Sequence, residues 1–415
     1  MCAIRLLHNS RIPYACNPEA RKLCPEETTL LFYYNSSMKA PGGTARWILN
    51  VSQRLSLLDY RIKVVTTSYG LDVAVAAAKE ADKIVRELSK NKCLENIELP
   101  YIRPPFGGLL LPRKALSTLV EIVRDADIVY FCYSCVCQDM IMALAKRLTG
   151  KPVINGFHIP LDPLSSSGKR LYVLYLKTIG REVMKKFNAH HVLNRYEKSL
   201  FESWGLENIR LIPNGVDTQR FRPLDLEEKD NSRFRVLFVG RLAYYKGIDI
   251  LCRAISELNH KIKDSLLEFI IVGWGPLAHL PERLIGSLDN VKYFGYVSTE
   301  KLPELYSNSH LFALPSRREG MSLAALEAQS SGLPVVGLDI AGLRVLVRDG
   351  VTGSLAGSEN PSELAALIEH YYNLWLSDEK RYSEICFNTR QNALQFDWNR
   401  VAKKLHKMFQ EELSS

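Results

Sequence analysis

From residue 28 onward, short β-branched and aromatic runs alternate with stretches of helical periodicity. In the first half the runs read TTLLFYYN, YRIKVVTTSY, ADIVYFCY, KPVINGFH, AHHVLN and NIRLIPNG. Near-continuous apolar runs of this length, separated by amphipathic segments, predict the buried strands of parallel βα units. The polar stretch RFRPLDLEEKDNSR (220–233) suits a linker. Beyond it the pattern restarts with FRVLFVG, LEFIIVG, VKYFGYV, HLFALPS and PVVGLD. Each run ends in Gly, Ser, Asp or a turn before the next helix, so the expected architecture is α/β: two successive doubly wound sheets. The expected division is an N-terminal domain over 1–220 (1–27 an extension with no assigned role), a linker at 221–232 and a second domain over 233–395. A helix over 396–415 with apolar positions at Val401, Leu405 and Phe409 needs a surface to cover and is expected to return to the first domain. Ligands of such sheets sit outside the carboxyl ends of the strands, which makes a cleft between the domains the expected place for chemistry.

Composition narrows the class. With 415 residues, 47% hydrophobic and 24% charged, the chain has an ordinary core for two domains. No apolar run approaches the roughly 20 residues that cross a bilayer, and the first residues carry charge too early for a secretory segment. Three of nine cysteines crowd into FCYSCVC, which reads as a buried strand end. Cys132 and Cys135 form a C-x-x-C with no second pair at zinc spacing, so the cysteines are read as reduced thiols of a cytoplasmic protein. Charge is uneven: residues 1–220 hold 31 Lys and Arg against 20 Asp and Glu, the remainder 23 against 25. A basic half without a nucleic-acid motif suggests an anionic partner, either a phosphate-bearing substrate or a membrane surface, although a merely solvated basic face gives the same counts.

Candidate chemistry concentrates in PSRREGMSLAALEAQSSGLPVV (315–336). A strand ends at Ser316, a turn carries Glu319 and Gly320, and Ser322 suits the N-cap of a helix that contains Glu327. Free N–H groups and the helix dipole at that end hold phosphate, and Glu319 and Glu327, at most about 12 Å apart, suit the two hydroxylated ends of a nucleotide sugar. Two solvated glutamates are the plain alternative. In VLFVGRLAYYKGID (236–249), Gly240 ends a strand and Arg241 and Lys246 follow on a loop, where two cations would neutralise a departing diphosphate. Gly273 and Gly275 in IIVGWGPL permit close backbone approach by a ligand or simply a strand-to-helix turn.

Taken in order, IPNGVD, FVGRLAYYKG, VGWGP, FGYVS, LPSRREGMSLAALEAQSSGLPVV and DGVTG resemble the C-terminal half of the retaining GT-B glycosyltransferases of the group-1 (family four) type. The likeness covers about residues 189–355 and extends more faintly through KAPGGTARW and NGFH. It implies that Arg241 and Lys246 contact the donor diphosphate, Glu319 the transferred sugar and Glu327 the ribose. The backbone of Gly320, Met321, Ser322 and Leu323 would line the sugar phosphate. In APGGTARW, Gly42 and Gly43 have the character of a loop over the diphosphate, or of a tight turn alone. His158, closing KPVINGFH, falls where the resemblance places a histidine beside the anomeric region. Two departures stand out: Met321 and Ser322 replace the usual Phe-Gly, and AGLRVLVRDG carries Ala341 and Val345 where Gly and Glu are usual.

The reaction so implied is transfer of a sugar from a nucleotide diphosphate sugar to an acceptor hydroxyl with retention, with no cofactor and no metal. Asp125 and Asp127 in RDADIVYF lie on the amino side of a strand and read as turn residues. A phosphorylase or epimerase of the same fold, and a nucleotide-sugar binder without transfer activity, remain alternatives, as does a soluble-acceptor synthase. GKRLYVLYLKTIGREVMKKF (168–187) interleaves Lys169, Arg170, Lys177, Arg181, Lys185 and Lys186 with apolar residues, and PPFGGLLLPRK (104–114) adds an apolar loop. These suit peripheral contact with an anionic bilayer and an acceptor that is a lipid or a polyprenyl-phosphate-linked sugar. A crossover helix with a basic outer face is the competing reading.

Overall fold

The computed structural model describes residues 28–34, 36–38, 42–58, 60–67, 75–91, 93–102, 110–133, 138–158, 174–224, 229–262 and 266–415. The N-terminal extension, most of the 104–114 loop, Lys169 to Tyr172 of the basic stretch, and Cys135 and Cys137 lie outside these residues. The chain divides into two compact units, Met1–Pro213 with Trp398–Ser415, and Asn214–Asp397.

The first unit is built on a seven-stranded sheet of β1 (Thr28–Tyr34), β2 (Tyr60–Thr67), β3 (Glu95–Leu99), β4 (Ile128–Tyr133), β5 (Val153–Phe157), β6 (Ala189–Val192) and β7 (Ile209–Leu211). Their order is β3-β2-β1-β4-β5-β6-β7, with every pairing parallel. Strands β4 and β5 are buried at every position, which is why IVYFCY of β4 reads as an unbroken apolar run and VINGF of β5 is broken only at Asn155 and Gly156. The second unit repeats the plan with β8 (Phe234–Val239), β9 (Leu267–Val272), β10 (Val291–Phe294), β11 (Leu311–Leu314), β12 (Val335–Leu338) and β13 (Gly353–Ala356), ordered β10-β9-β8-β11-β12-β13 and again parallel. In both sheets the chain runs outward one way and then crosses to run the other, reversing between β1 and β4 and between β8 and β11.

Two strands have no counterpart among the expected runs, ENIEL (β3) and GSLA (β13). Both are edge strands of four or five residues. β3 is buried only at Leu99, and β13, though mostly buried, is built largely of Gly, Ser and Ala, so neither writes an apolar run.

The C-terminal helix Trp398–Leu413 belongs to the first unit, as its apolar stripe leads one to expect. Val401, Leu405 and Phe409 are buried, at about 1.5–3 kcal/mol for each large apolar side chain. The helix packs on α1 (Gly43–Leu55); Phe409 meets the ring of Tyr130, and His406 Nδ1 lies 3.0 Å from the Tyr60 hydroxyl.

Asp125 closes the helix Arg113–Arg124, and Asp127 Oδ2 accepts from the Thr29 amide at 2.7 Å ahead of β4, so both serve a turn. Cys132 in β4 is a buried free thiol whose pKa burial pushes up, and Cys252 and Cys386 are also free. Cys93 departs from the reduced-thiol expectation: it is disulfide-bonded, and its partner is not among the described residues. No described helix is long and apolar enough to cross a membrane.

Candidate functional site

Strands β8 and β11 are neighbours at the reversal of the second sheet, so the loops leaving their carboxyl ends lie side by side. The β8 loop makes a 3-10 turn over Tyr244–Lys246 and enters the helix Ile248–Lys261 through Gly247, at φ 69°. Only glycine serves there: a Cβ would lie 1.8 Å from the Pro315 carbonyl oxygen of the β11 loop. The close approach brings Lys246 Nζ to 2.5 Å from Glu319 Oε1, and Ser316 Oγ donates to the same oxygen at 2.8 Å. Burial pulls the Lys246 pKa down, but the Glu319 charge, Tyr245 and the hydrogen bond outweigh it and leave the pKa raised. Lys246 is therefore a fixed, largely buried cation.

Arg317, which the sequence reading did not single out, clamps the two loops. It donates to Asp249 Oδ1 and Oδ2, both at 2.8 Å, to the Tyr244 carbonyl at 2.5 Å and to Glu359 at 2.7 Å, with its guanidinium 3.8 Å from the centre of the Tyr244 ring. Its own amide donates to the Tyr245 carbonyl at 2.8 Å. Gly342 is the second missed residue: a Cβ there would lie 2.2 Å from the Glu319 carbonyl oxygen, so the surviving glycine of AGLRV lets the following helix press on the Glu319 turn.

Ser322 caps the helix Leu323–Ser330, accepting from the Ala325 amide at 3.3 Å. Met321, one of the departures from the family pattern, is buried; its carbonyl accepts from Asn214 Nδ2 at 2.7 Å and its sulfur from the Asn214 amide at 3.2 Å. The side chain that replaces Phe thus ties the turn to IPNGVD. Glu327 lies one helical turn further in, buried, and accepts from the Tyr306 hydroxyl at 3.1 Å. Lys246, Glu319, Gly320, Met321, Ser322 and Leu323 are brought together in this way. Arg241, on the same loop as Lys246, is exposed and has no ion pair with a described residue.

Gly273 and Gly275 face protein. A Cβ on Gly273 would lie 1.8 Å from the Gly240 carbonyl oxygen, and one on Gly275 2.4 Å from that of Leu242. The Leu242 amide donates to Trp274 O at 3.0 Å and the Leu277 amide to Leu242 O at 2.8 Å. These glycines let the β8 and β9 loops knit together.

In the first unit the candidates also gather at the reversal point. Gly42 precedes α1 without a side-chain cap, no acidic residue occupies the first turn, and a Cβ at Gly43 would meet nothing within 4 Å among the described residues, so none of these covers the helix end. His158 leaves the end of β5 with its ring 4.4 Å from Trp47 and its Nε2 2.9 Å from the Tyr130 hydroxyl. Burial, with His191 nearby, holds its pKa well below the usual histidine range. Trp47, Tyr130 and His191 read in the sequence only as apolar or strand positions; no local signal marked them. Among the described residues no three His, Cys, Asp or Glu side chains converge as a metal site.

Comparison with known proteins agrees with this geometry. The family described as "Glycosyltransferase Family 4" matches residues 41–220 and "Glycosyl transferases group 1" matches 233–373. A D-inositol 3-phosphate glycosyltransferase of Rhodococcus erythropolis is 31% identical over 414 residues, covering 92% of this chain and 90% of the relative. Another of that name from Rhodococcus opacus is 26% identical over 432 residues, covering 96% and 90%. Among solved structures, HepE from Anabaena in complex with UDP and glucose shares the fold at TM-score 0.72 and 20% identity, covering 92% of this chain and all of that one. Sucrose-phosphate synthase from Thermosynechococcus elongatus does so at 0.71 and 17%, covering 93% and 99%. With two family matches spanning both sheets and a relative this similar along nine-tenths of its length, the chain belongs to the group 1, family 4 glycosyltransferases and is an enzyme of sugar transfer on a GT-B fold.

Proposed function

We propose that the chain transfers a sugar from a nucleoside diphosphate sugar to an acceptor hydroxyl with retention of anomeric configuration. The carrying observation is the cluster at the β8/β11 reversal: a fixed Lys246 cation, the Glu319 carboxylate it pairs with, and the Ser322-capped helix end, with Arg241 exposed on the same loop as Lys246. Lys246 and Arg241 neutralise the leaving diphosphate together with the N–H groups from Gly320 to Leu323, Glu319 receives hydroxyls of the transferred sugar, and Glu327 those of the ribose. Gly240, Gly273 and Gly275 shape the floor of this site by packing the loops closely. In the first unit, the family resemblance assigns Gly42 and Gly43 to the diphosphate and His158 to the sugar. A uridine donor is favoured by the fold relatives solved with UDP. The test is a nucleotide-sugar screen read by mass spectrometry, with the product anomer assigned by NMR. Retained configuration supports the reading; hydrolysis alone, or inversion, overturns it.

The acceptor we infer carries a phosphate, since the first 220 residues hold the chain's excess of Lys and Arg and the relatives at 26–31% identity are named for inositol 3-phosphate. A lipid phosphate is a second reading with its own observation. Met140, Leu144 and Leu148 form an exposed apolar stripe at four-residue spacing on the helix Gln138–Thr149, and Leu174 and Ile179 are exposed beside Lys177 on the following helical segment. The inner side of that segment, Leu176, Val183 and Met184, is buried in the core, so the described part of the basic stretch is a crossover helix whose outer face carries the contact. Such a face suits peripheral contact with an anionic cytoplasmic bilayer. Cosedimentation with anionic vesicles that weakens in Leu144→Asp and with rising salt supports it; no binding at low salt leaves a soluble phosphate as the acceptor.

A further inference from the structure

His158 ends a chain of hydrogen bonds that has only one consistent direction. It begins at the Ile212 backbone carbonyl, 2.7 Å from His191 Nε2. A carbonyl oxygen only accepts, so His191 Nε2 carries a proton. Burial lowers the His191 pKa to about 4, so the ring is neutral and its Nδ1 is a bare acceptor. The Tyr130 hydroxyl lies 2.5 Å from that Nδ1 and must donate to it. With its one proton so committed, the Tyr130 oxygen is an acceptor towards His158 Nε2 at 2.9 Å, and His158 Nε2 must carry the proton. His158 Nδ1, with no partner among the described residues, is left holding a lone pair.

The parts of this chain are immobilised. Tyr130 and His191 are completely buried. Trp47 stacks on Tyr130 at 5.1 Å between ring centres, Phe32 packs edge-on at 5.5 Å, and Phe409 of the C-terminal helix closes a further side at 6.1 Å. Gly156 makes the space for the hydroxyl, since a Cβ there would lie 2.0 Å from it.

We propose that Tyr130 and His191 are positioning residues that hold His158 as the Nε2–H tautomer and so make its Nδ1 a hydrogen-bond acceptor for a hydroxyl of the transferred sugar. Two acceptors facing each other would repel, so the site selects a sugar bearing a hydroxyl there and disfavours one whose only group at that point is an acceptor, such as a fluoro or methoxy substituent. The sugar's part rests on the donor-site reading given above; the tautomer does not.

The experiment is 15N NMR of the ligand-free full chain with labelled histidine, comparing wild type, Tyr130→Phe and His158→Gln, with the last identifying the resonance. The expected wild-type His158 has a protonated Nε2 and an unprotonated Nδ1. In Tyr130→Phe, which keeps the ring and removes the hydroxyl, the two tautomers mix. Donor turnover in Tyr130→Phe then falls about tenfold with a smaller change in KM, and deoxyfluoro donors lose their disadvantage at one ring position. A wild-type His158 protonated at Nδ1, or an unchanged tautomer in Tyr130→Phe, overturns the proposal whatever the enzyme's donor. An intact tautomer shift with no discrimination at any sugar position overturns only the sugar's part.

Discussion

Replacing Arg317 by Ala removes the clamp that seats Lys246 against Glu319. The Arg317 side chain is 6% exposed and Asp249 27%, whereas Glu359 is 58% exposed and its bond is worth little. The two bonds to Asp249 are charge-assisted, about 1.5–3 kcal/mol each in isolation, and act as one bidentate unit rather than as a sum. Partial exposure of Asp249 lets water recover part of that loss. The guanidinium over Tyr244 adds about 0.5–1 kcal/mol. The expected destabilisation is about 3 kcal/mol, which for a unit of this size lowers its Tm by about 6–12 °C. Because the same side chain holds the Tyr244 carbonyl two residues from Lys246, affinity for a nucleoside diphosphate falls as well. Arg317→Lys keeps the charge but lacks the planar fork and recovers less than half of either loss. Scanning calorimetry and titration calorimetry with UDP read the two effects. A Tm within about 2 °C of wild type together with unchanged UDP affinity would refute the clamp.

Gly247→Ala forces a methyl against the Pro315 carbonyl at a left-handed φ and should cost as much stability as Arg317→Ala while lowering turnover, since either loop that yields moves Lys246 or Glu319; thermal melts and initial rates check it. Arg241→Ala and Lys246→Ala should each lower kcat by about 100-fold, and exposed Arg241 should do so with no change in Tm; wild-type turnover in both variants contradicts their roles. Glu327→Ala should mainly weaken UDP binding and Glu319→Ala mainly slow turnover, and equal loss of UDP affinity in the two variants by calorimetry removes the division. Burial lowers the pKa values of His190 and His191 to about 4, so between pH 6.5 and 4 the unfolded chain binds protons that the fold refuses. Stability is therefore full above pH 6.5 and falls with pH by at most about 1.4 kcal/mol per unit for each histidine; urea titrations should show a shallower fall in His190→Asn.

The strand runs, the restart of their pattern after residue 220 and the stripe of Val401, Leu405 and Phe409 were legible because burial of a strand or a helix face imposes a period on neighbouring residues of one chain. Edge strands ENIEL and GSLA escaped that rule, the first being short and mostly wet and the second short and made of small residues, and exist because β2 and β12 offer them a ladder. The turn from Ser316 to Ser322 was legible for the same local reason, cap and strand end lying within a few residues. What the chain order could not contain is the meeting of groups far apart in it. Lys246 pairs with Glu319 across 73 residues, and His158, Tyr130 and His191 join across 28 and 61. Trp47, Gly156, Gly247, Arg317 and Gly342 take their meaning from a neighbour supplied by another βα unit. Periodicity reports whether a side chain is covered. Which group covers it is decided by strand order and by close packing of loops, where one Cβ at Gly247 is enough to separate Lys246 from Glu319.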